Sequence, residues 1–442
     1  MTDIIKIKKG LDIPLEGRAE GRPLPTEPSV LFGIVPDDYP GCIWKAAVRP
    51  GDKVKAGTPL LIDKVSGAIC LTSPVAGSVD DVKRGERRRI EYVSVRREGD
   101  GSESFDTTTQ PEAIVKTLQA SGLWAMMRQR PYDIVPAPGV APRDIFITAF
   151  DSAPLAPELL SEKLAPYLEK GIETLARLTS GKVYLSVRAG SGLTSKTAVV
   201  TEFEGPHPAG NVGVQIAGIK PVNKGETVWT LDAATAARIG MLYSGKGISY
   251  DTVVAVTGPA AANPRLMETL VGVAIGELLH SEITGSVEAT RIISGNVLTG
   301  VKTDLQGFLR YPYRQVTLLP EGSDADEFMG WASMNPRKFS VKRTFPAFLR
   351  GLGKKYDFDA RVKGGHRAMI LSGEFDKVFP MDIYPEYLLK AIMARDIDRM
   401  EKLGIYEVAP EDFALPEFVD TSKEELQKTV RDGLDYLRKE LS

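Results

Sequence analysis

The sequence predicts a multi-domain α+β protein, and three observations support this prediction. With 442 residues the chain is long enough for roughly three domains of ordinary size. Its first hundred residues contain short strand-like runs separated by glycine, proline and aspartate, which is typical of an all-β unit. Between residues 111 and 258 strand-like and helix-like segments alternate, as in an α/β unit with a mostly parallel sheet.

The composition excludes several classes of protein. Hydrophobic residues make up 43% and charged residues 26%, a balance that rules out disorder as the main state. The net charge of −2 offers no general attraction for nucleic acid. Two cysteines, Cys42 and Cys70, cannot alone hold an iron–sulfur cluster, which takes about four thiolates. The three histidines are too far apart in sequence to form a metal-binding motif.

Neither a signal peptide nor a membrane span is predicted. The N-terminal residues lack an apolar core segment, and no apolar run approaches the roughly 20 residues that a membrane helix needs. We therefore expect a peripheral protein that contacts a membrane only through partner subunits and that does not bind nucleic acid.

Residues 1–100 predict a small β unit. Its strand-like runs are residues 4–8, 43–48, 60–62, 68–71, 78–82 and 90–96. Gly51 and Gly57 suit tight turns with positive φ, and Pro74 and Gly77 mark another turn. The segments VRPGDKVKAGTPLLI (48–62) and SPVAGSV (73–79) resemble the biotinyl/lipoyl carrier domain, a β barrel-sandwich. Where carriers hold the modified lysine this chain has Ser66, so we expect an unmodified copy of that fold.

Residues 101–258 predict a Rossmann-like α/β domain that follows a linker at 99–110. The expected helices are 111–121, the second half of 157–179, and 233–243. The expected strands are 144–149, 183–187 and 252–256. Residues 259–310 predict a small β-grasp-like module, with a helix at 265–273 followed by segments 275–279, 292–298 and 299–308.

Residues 311–442 predict a mainly helical C-terminal domain. Residues 311–365 show no sustained period, and a helix is expected over 385–403. The last helix is expected to start with a capping box at 422–425. Its apolar stripe consists of Leu426, Val430, Leu434, Leu437 and Leu441. The stripe predicts packing within the domain, and contact with a partner helix is the alternative.

The segment VRAGSGL (187–193) follows a predicted strand and has part of the pattern of a nucleotide-binding loop. Its two glycines could approach a phosphate, but Ser195 stands where the third glycine of a dinucleotide loop belongs. A strand rather than a helix is expected over 194–201, so the helix dipole would be missing too. We therefore expect no nucleotide, flavin, cluster or metal in this chain.

Two stretches have the composition of a quinone slot, which needs apolar walls and one or two polar anchors. The preferred one, GLWAMMRQRPY (122–132), offers flat or soft side chains and cations that could face a carbonyl: Trp124, Met126, Met127, Arg128, Arg130 and Tyr132. The other is LFGIVP (31–36). For both, packing in the core or in a subunit interface is the alternative.

His207 is a second candidate for a quinone or subunit contact. It lies between two prolines in EGPHPAGN (204–211), which favours a stiff, exposed loop suited to recognition. A purely structural turn is the alternative. His280 and His366 are more typical of capping or packing residues.

Four strings resemble one family in order and approximate spacing. They are IKIKKGLDIP (5–14), RLTSGKV (177–183), GPHPAG (205–210) and VFPMDIYP (378–385). Together they are similar to the A subunits of bacterial sodium-translocating NADH:quinone reductases, and the resemblance runs through the whole chain. One departure is EFVDT (417–421), where many family members carry a cysteine.

The resemblance implies a function at the level of a complex. Such a complex passes electrons from NADH to ubiquinone or menaquinone and couples this transfer to sodium export, with its flavins and iron–sulfur centres in other subunits. The A subunit has no catalytic centre of its own, lies on the cytoplasmic side of the inner membrane, and is associated with the quinone end. Its fold is similar to the NADH-binding flavoprotein subunit of respiratory complex I.

Two other functions stay open from the sequence. One is a carrier protein with a lipoyl or biotinyl group on Lys64 or Lys53. The other is a free-standing flavin or NAD oxidoreductase. A mass increment would reveal the first, and flavin colour would reveal the second.

Overall fold

The computed structural model describes residues 4–25, 29–323, 338–341 and 354–441. Residues 324–337 and 342–353, which take up much of the aperiodic stretch at 311–365, lie outside the described residues. The strands of the described part are β1 Ile4–Lys6, β2 Leu24–Pro25, β3 Leu31–Ile34, β4 Trp44–Ala46, β5 Lys53–Val54, β6 Pro59–Asp63, β7 Cys70–Thr72, β8 Gly77–Arg84, β9 Ile90–Arg97, β10 Arg128–Arg130, β11 Ile145–Thr148, β12 Val183–Arg188, β13 Val199–Glu204, β14 Val228–Asp232, β15 Asp251–Thr257, β16 Arg265–Leu270, β17 Thr290–Ser294, β18 Val301–Thr303 and β19 Gln315–Pro320.

Two antiparallel sheets, β3-β9-β8-β5 and β4-β6-β7, form the N-terminal β unit. Gly51 (φ 90°) and Gly57 (φ 95°) occupy the left-handed region, as predicted. The turn predicted at Pro74 and Gly77 corresponds to a bend at residues 74–76, and Gly77 directly follows it. It starts β8, where a Cβ would lie 1.8 Å from the Arg96 carbonyl oxygen. The stretch 31–36, one of the two candidate quinone stretches, supplies edge strand β3, with Phe32 and Ile34 in the core.

The α/β sheet has the order β1-β13-β12-β11-β14-β10, and only β10 runs antiparallel. Strand β1 corrects one expectation, because it pairs with β13 here and not with the N-terminal β unit. Alternate residues of β11 face opposite layers, since Phe146 packs with Ile216 while Ile145 and Ile147 join the main core with Ile172. Helices therefore cover both faces of the sheet.

The second large sheet has the order β18-β17-β19-β15-β16-β2. Two predictions from the sequence were wrong in this sheet. The expected helix at 265–273 is strand β16, which pairs antiparallel with β15 and parallel with β2. Strand β15, which the sequence places in the parallel α/β sheet, lies here between β16 and β19. Its last four residues are all buried, so both faces are covered there, which explains an apolar run without polar alternation.

The helices of the described part begin and end as follows: α1 Pro111–Ala120, α2 Leu168–Leu175, α3 Val212–Ile219, α4 Ala233–Met241, α5 Ile275–Leu278, α6 Pro385–Met393, α7 Ile397–Lys402, α8 Ala414–Val419 and α9 Leu426–Leu441. The helix expected over 385–403 is broken into α6 and α7. Arg395 has a φ of 53°, and the Asp396 side chain accepts a hydrogen bond from the Arg399 amide and so starts the second helix.

The last helix, α9, starts later than expected. Ser422 makes no capping box, because its hydroxyl donates to the Ala368 carbonyl and Lys423 has a φ of 60°. The apolar stripe is correct over most of its length, with Leu426, Val430, Leu434 and Leu437 fully buried and Leu441 half exposed. Its buried part packs against α6, α8 and residues 410–413, so the stripe belongs to the C-terminal core.

None of the helices within the described ranges has the length and apolar character needed to cross a membrane.

Candidate functional site

A cavity of about 170 Å³ lies at the carboxyl ends of two neighbouring parallel strands, β11 and β14. The chain continues from β11 to β12 and β13 on one side of the sheet and then returns to β14 on the other side. The cavity therefore lies at the topological switch point, which is where open α/β sheets generally bind ligands. Its volume suits one ring-sized group, since a cavity of about 150 Å³ accommodates benzene.

Three parts of the chain surround this switch-point cavity. The α/β sheet and its loops contribute one wall, the second sheet contributes another, and the C-terminal helical part contributes Glu411. The lining residues are Thr148, Phe150, Asp151, Ala153, Pro157, Leu159, His207, Gly210, Asn211, Val212, Asp232, Asn296, Leu298, Thr299, Pro312, Tyr313, Arg314, Gln315 and Glu411.

His207 lines the cavity but is not on an exposed loop. Only 4% of its surface is exposed, which corrects the expectation from the flanking prolines. Its Nδ1 lies 3.0 Å from the Ser152 hydroxyl, and its backbone amide donates to Asp12 Oδ1 at 2.9 Å. Its Nε2 hydrogen bonds to no described residue. Burial lowers the pKa of His207 to about 4, so the ring is neutral at pH 7 and its Nε2 can serve a ligand in the cavity.

The lowered pKa predicts a pH dependence of stability. The folded pKa of about 4 lies below the ordinary value of 6.5, so the folded state resists protonation. The stabilisation is complete above the ordinary value and is lost as the pH falls from 6.5 towards 4. Urea unfolding at a series of pH values should show a smaller loss over this window for His207→Gln than for the unmodified chain. If the free energy of unfolding falls equally in both proteins, the lowered pKa of His207 is contradicted.

Two aspartates give the cavity its charge. Asp232, at the end of β14, accepts from the Thr235 amide at 2.7 Å and pairs with Arg314 Nη2 at 2.6 Å. Burial would raise the pKa of Asp232, but Arg314 and Arg238 outweigh burial and lower it. Burial raises the pKa of Asp151, which accepts a hydrogen bond from the Ala153 amide. The cavity wall thus combines the Arg314 guanidinium with two carboxyl groups whose pKa values are shifted in opposite directions.

A buried charge cluster connects the cavity to the C-terminal helices. Arg130 on β10 has 1% of its side chain exposed, and its Nη1 lies 3.0 Å from Asp412 Oδ2. Its Nη2 lies 2.9 Å from Glu411 Oε1, and Glu411 also lines the cavity. Asp412 is fully buried and accepts from the Ala409 amide at 2.8 Å. Arg130 therefore touches the cavity only through Glu411.

The three apolar candidates from the preferred quinone stretch lie in the core. Trp124, Met126 and Met127 are at most 6% exposed, and none of them lines the cavity. The Trp124 ring packs edge-on against Trp229 with centroids 4.9 Å apart, and its Nε1 donates to the Pro136 carbonyl at 2.9 Å. This is the core packing that the sequence left open as the alternative.

Arg128 and Tyr132 serve contacts between parts of the chain. Arg128 donates to the carbonyls of Asp38, Ala125 and Met127 and lies 5.6 Å from the ring of Tyr311. Tyr132 is partly buried against the C-terminal core, and its carbonyl accepts a hydrogen bond from Arg431. Of the seven predicted site residues, His207 alone is among those that line the cavity.

Sequence reasoning missed most of the lining. Asp232 carried a signal, because an aspartate directly before a predicted helix is a typical N-cap, as the structure shows. Asn211 stood inside the His207 string and precedes α3, and its Nδ2 lies 3.3 Å from the Glu411 carbonyl. Arg314 belongs to an aperiodic stretch and carried no such signal.

The predicted absence of a nucleotide-binding helix after VRAGSGL agrees with the structure. Gly190 and Gly192 have positive φ, and the next element is strand β13, without a helix between. The expected strand at 194–201 begins later, at Val199. Among the described residues no group of three or more His, Cys, Asp or Glu side chains is arranged to hold a metal ion.

The two lysines of the carrier alternative lie in different settings. Lys64 directly follows β6, in the turn that leads to β7, and it is exposed. Lys53 on β5 forms an ion pair with Glu98.

Three family models match consecutive parts of the chain. They are described as the NqrA N-terminal barrel-sandwich hybrid domain (residues 5–98), the NqrA second alpha/beta domain (109–247) and the NQRA C-terminal domain (253–304). The first agrees with the predicted carrier-like β unit, and the structure as a whole is mixed α/β with several sheets.

Curated relatives match over nearly their full length. The A subunit of the Na(+)-translocating NADH-quinone reductase of Saccharophagus degradans is 36% identical, covering 99% of this chain and 100% of the relative. That of Serratia proteamaculans is 37% identical with the same coverage, and that of Neisseria meningitidis serogroup B is 33% identical. The chain belongs to the family of A subunits of Na(+)-translocating NADH-quinone reductases.

Proposed function

We propose that this chain is the peripheral A subunit of a complex that passes electrons from NADH to ubiquinone or menaquinone and exports sodium. The observation that supports this most directly is the match to family members over 99% of the chain and the full length of its relatives. The absence of a membrane-spanning helix from the described ranges fits a subunit that partner subunits hold on the cytoplasmic side of the inner membrane.

The chain carries no redox cofactor of its own in this proposal. Two cysteines are too few for a cluster, and the loop after β12 leads into a strand instead of a helix N-terminus. The flavins and iron–sulfur centres of the complex then belong to partner subunits, and catalysis belongs to the whole complex.

A division into four units accompanies this proposal. Residues 1–100 form the carrier-like β unit except for β1 and β2, and 101–258 form a Rossmann-like domain without a nucleotide loop except for β15. Residues 259–310 form a β-grasp-like module and 311–442 a mainly helical domain except for β19, since β2, β15 and β19 belong to the second sheet. The exchange of strands β1 and β2 with later sheets argues that these units fold onto one another and are not independent modules.

The quinone head group is the ligand that we assign to the switch-point cavity. A quinone is flat and apolar apart from two carbonyl oxygens. Phe150, Leu159 and Leu298 supply apolar wall, and His207 Nε2 and Arg314 are polar groups beside it. One guanidinium nitrogen of Arg314 is committed to Asp232, which leaves the others for a carbonyl oxygen.

Within this assignment Arg130 is a positioning residue. Its guanidinium holds Glu411 at the cavity wall and is itself held by the buried Asp412. Trp124, Met126 and Met127 lie in the core just before β10 in the chain, so in this assignment they affect the site only through packing.

The experiment uses the assembled complex. The tagged chain is isolated from membranes, and its partners are identified by mass spectrometry. Quinone reduction is then compared with NADH oxidation by an artificial acceptor in His207→Gln and in the control His280→Gln, which changes an exposed histidine far from the cavity. Loss of one hydrogen bond in a site costs about 0.5–1.5 kcal/mol, or roughly a two- to tenfold rise in KM for quinone.

Co-purification with partners tests the proposed function, and the quinone kinetics test the proposed quinone site. Partners that co-purify and a raised quinone KM with normal artificial-acceptor activity support both. A chain that co-purifies while His207→Gln behaves as the control places the quinone in another subunit. A chain that leaves the membranes without partners overturns the function itself.

A further inference from the structure

The turn between β8 and β9 concentrates positive charge. Residues 83–89 contain five cationic side chains and a single acidic one, Glu86. The cationic residues are Lys83, Arg84, Arg87, Arg88 and Arg89. This segment has a formal charge of +4 in a chain whose net charge is −2, so the rest of the chain is clearly acidic.

Most of these cations have no partner within the described residues. Arg89 forms an ion pair with Asp37, and Arg84 donates to the Arg88 carbonyl at 3.2 Å. The side chains of Lys83, Arg87 and Arg88 are exposed and make no ion pair or hydrogen bond there.

Two acidic side chains lie at the turn, Glu86 at its tip and Glu91 beside Gly85, while Asp80 and Asp81 lie further down β8. Asp80 is bound by Arg96 at 2.9 Å, and Asp81 and Glu91 are the other carboxylates of β8 and β9. The end of the hairpin therefore keeps an excess of positive charge despite Glu86 and Glu91, and this excess can attract an anionic surface.

The backbone at the tip is unusual for such residues. Arg87 has a φ of 52° and Arg88 a φ of 61°, in the left-handed region that Gly and Asn adopt most readily. The side chains of Arg87 and Arg88 are exposed, so they add no packing that would offset the conformational cost of a positive φ. Two arginines at positions that suit glycine argue for a task outside the fold.

We propose that this hairpin tip binds the anionic head groups of a phospholipid bilayer. The inference rests on the proposed function, because an ion-translocating complex resides in a membrane and its peripheral subunit lies against that membrane. Clustered Lys and Arg side chains are attracted to anionic lipid by their charge, over about one Debye length. The contact adds to attachment through partners and is sensitive to salt.

The test measures sedimentation of the full chain with lipid vesicles. Vesicles that contain phosphatidylglycerol are compared with vesicles of phosphatidylcholine alone, at low and high ionic strength. The variant Arg87→Asn/Arg88→Gly removes two charges with residues that tolerate positive φ, which protects the fold. The variant Arg87→Lys/Arg88→Lys keeps the charge, and Lys116→Gln/Lys246→Gln removes the same charge from exposed positions elsewhere.

We expect binding to the anionic vesicles only, lost at high salt. The Asn/Gly variant should bind at least about tenfold more weakly, because each cation near an anionic surface contributes several-fold. The Lys/Lys variant and the distant double variant should stay within about twofold of the unmodified chain.

Three results overturn the proposal. They are equal binding to both vesicle types, binding that the Asn/Gly variant leaves unchanged, and absence of binding by the unmodified chain. If the chain binds no vesicles but the Asn/Gly variant is lost from membranes that hold the whole complex, the tip binds an acidic partner surface instead of lipid. Co-purification of the unmodified chain with its partners tests the proposed function separately.

Discussion

Replacing Arg130 by alanine should destabilise the protein by about 3–5 kcal/mol, the usual cost of breaking a buried ion pair. The substitution would leave Asp412 fully buried, and the Ala409 amide would be its one remaining hydrogen-bond donor among the described residues. Asp412 Oδ1 already lacks a hydrogen-bond partner among the described residues, so the variant would leave this carboxylate with even less compensation for its burial. Urea denaturation of the full chain, followed by fluorescence, measures the loss.

Two controls make this result specific. Arg399→Ala removes an exposed arginine paired with Asp396 and should change stability by less than about 1 kcal/mol. Arg130→Met combined with Asp412→Leu replaces the buried pair by apolar groups and should recover much of the loss, since Glu411 is 41% exposed and can reach water. A single Arg130→Ala variant as stable as Arg399→Ala would show that the cluster is not energetically coupled.

Gly171→Ala should cost about 3 kcal/mol or more, at the upper end of overpacking effects. Helices α2 and α4 touch through glycines. A Cβ on Gly171 would lie 1.8 Å from the Ala236 carbonyl oxygen, and one on Gly240 would lie 1.9 Å from that of Tyr167. Both obstacles are backbone atoms, so relief requires the two helices to move apart. The shift of the urea midpoint measures the cost.

Gly218→Ala is the matched control for this variant. Gly218 is also helical, in α3, but its Cβ would meet its nearest neighbour at 3.5 Å, an ordinary contact. Alanine should therefore stabilise there by about 0.4–1 kcal/mol through the unfolded chain. Opposite signs for the two substitutions would establish close helix contact as the cause, whereas equal signs would contradict it.

Elements with strong local signals were predictable. Short sequence patterns predict four elements correctly: the proline at the start of α1, the apolar face of α2, and the β-branched runs of β11 and β12. The helix prediction for the β16 segment was wrong because its leucine, methionine and glutamate residues favour a helix locally. Pairing with β15 along six residues outweighs that preference.

The candidate site was only partly predictable for the same reason. His207 stood out because of its flanking prolines, and its string helped to indicate the family. Its buried position and its hydrogen bonds to Ser152 and Asp12, which are distant in sequence, could not be predicted from that string. Trp124 looked like a ligand-stacking residue, and only its contact with Trp229 shows that the core uses it.

By itself, the sequence determined the family, the β unit at the N-terminus, the lack of cofactor motifs and the apolar stripe of α9. Each of these properties follows from a pattern in residues close together in the sequence: turn glycines, hydrophobic periodicity or short family strings. Tertiary structure alone decided that β1 joins the α/β sheet, that Arg130 meets Asp412, and that β11 and β14 open a cavity between them. Those contacts join residues far apart in the chain, and the free energy that selects them comes from burial and pairing that no local pattern records.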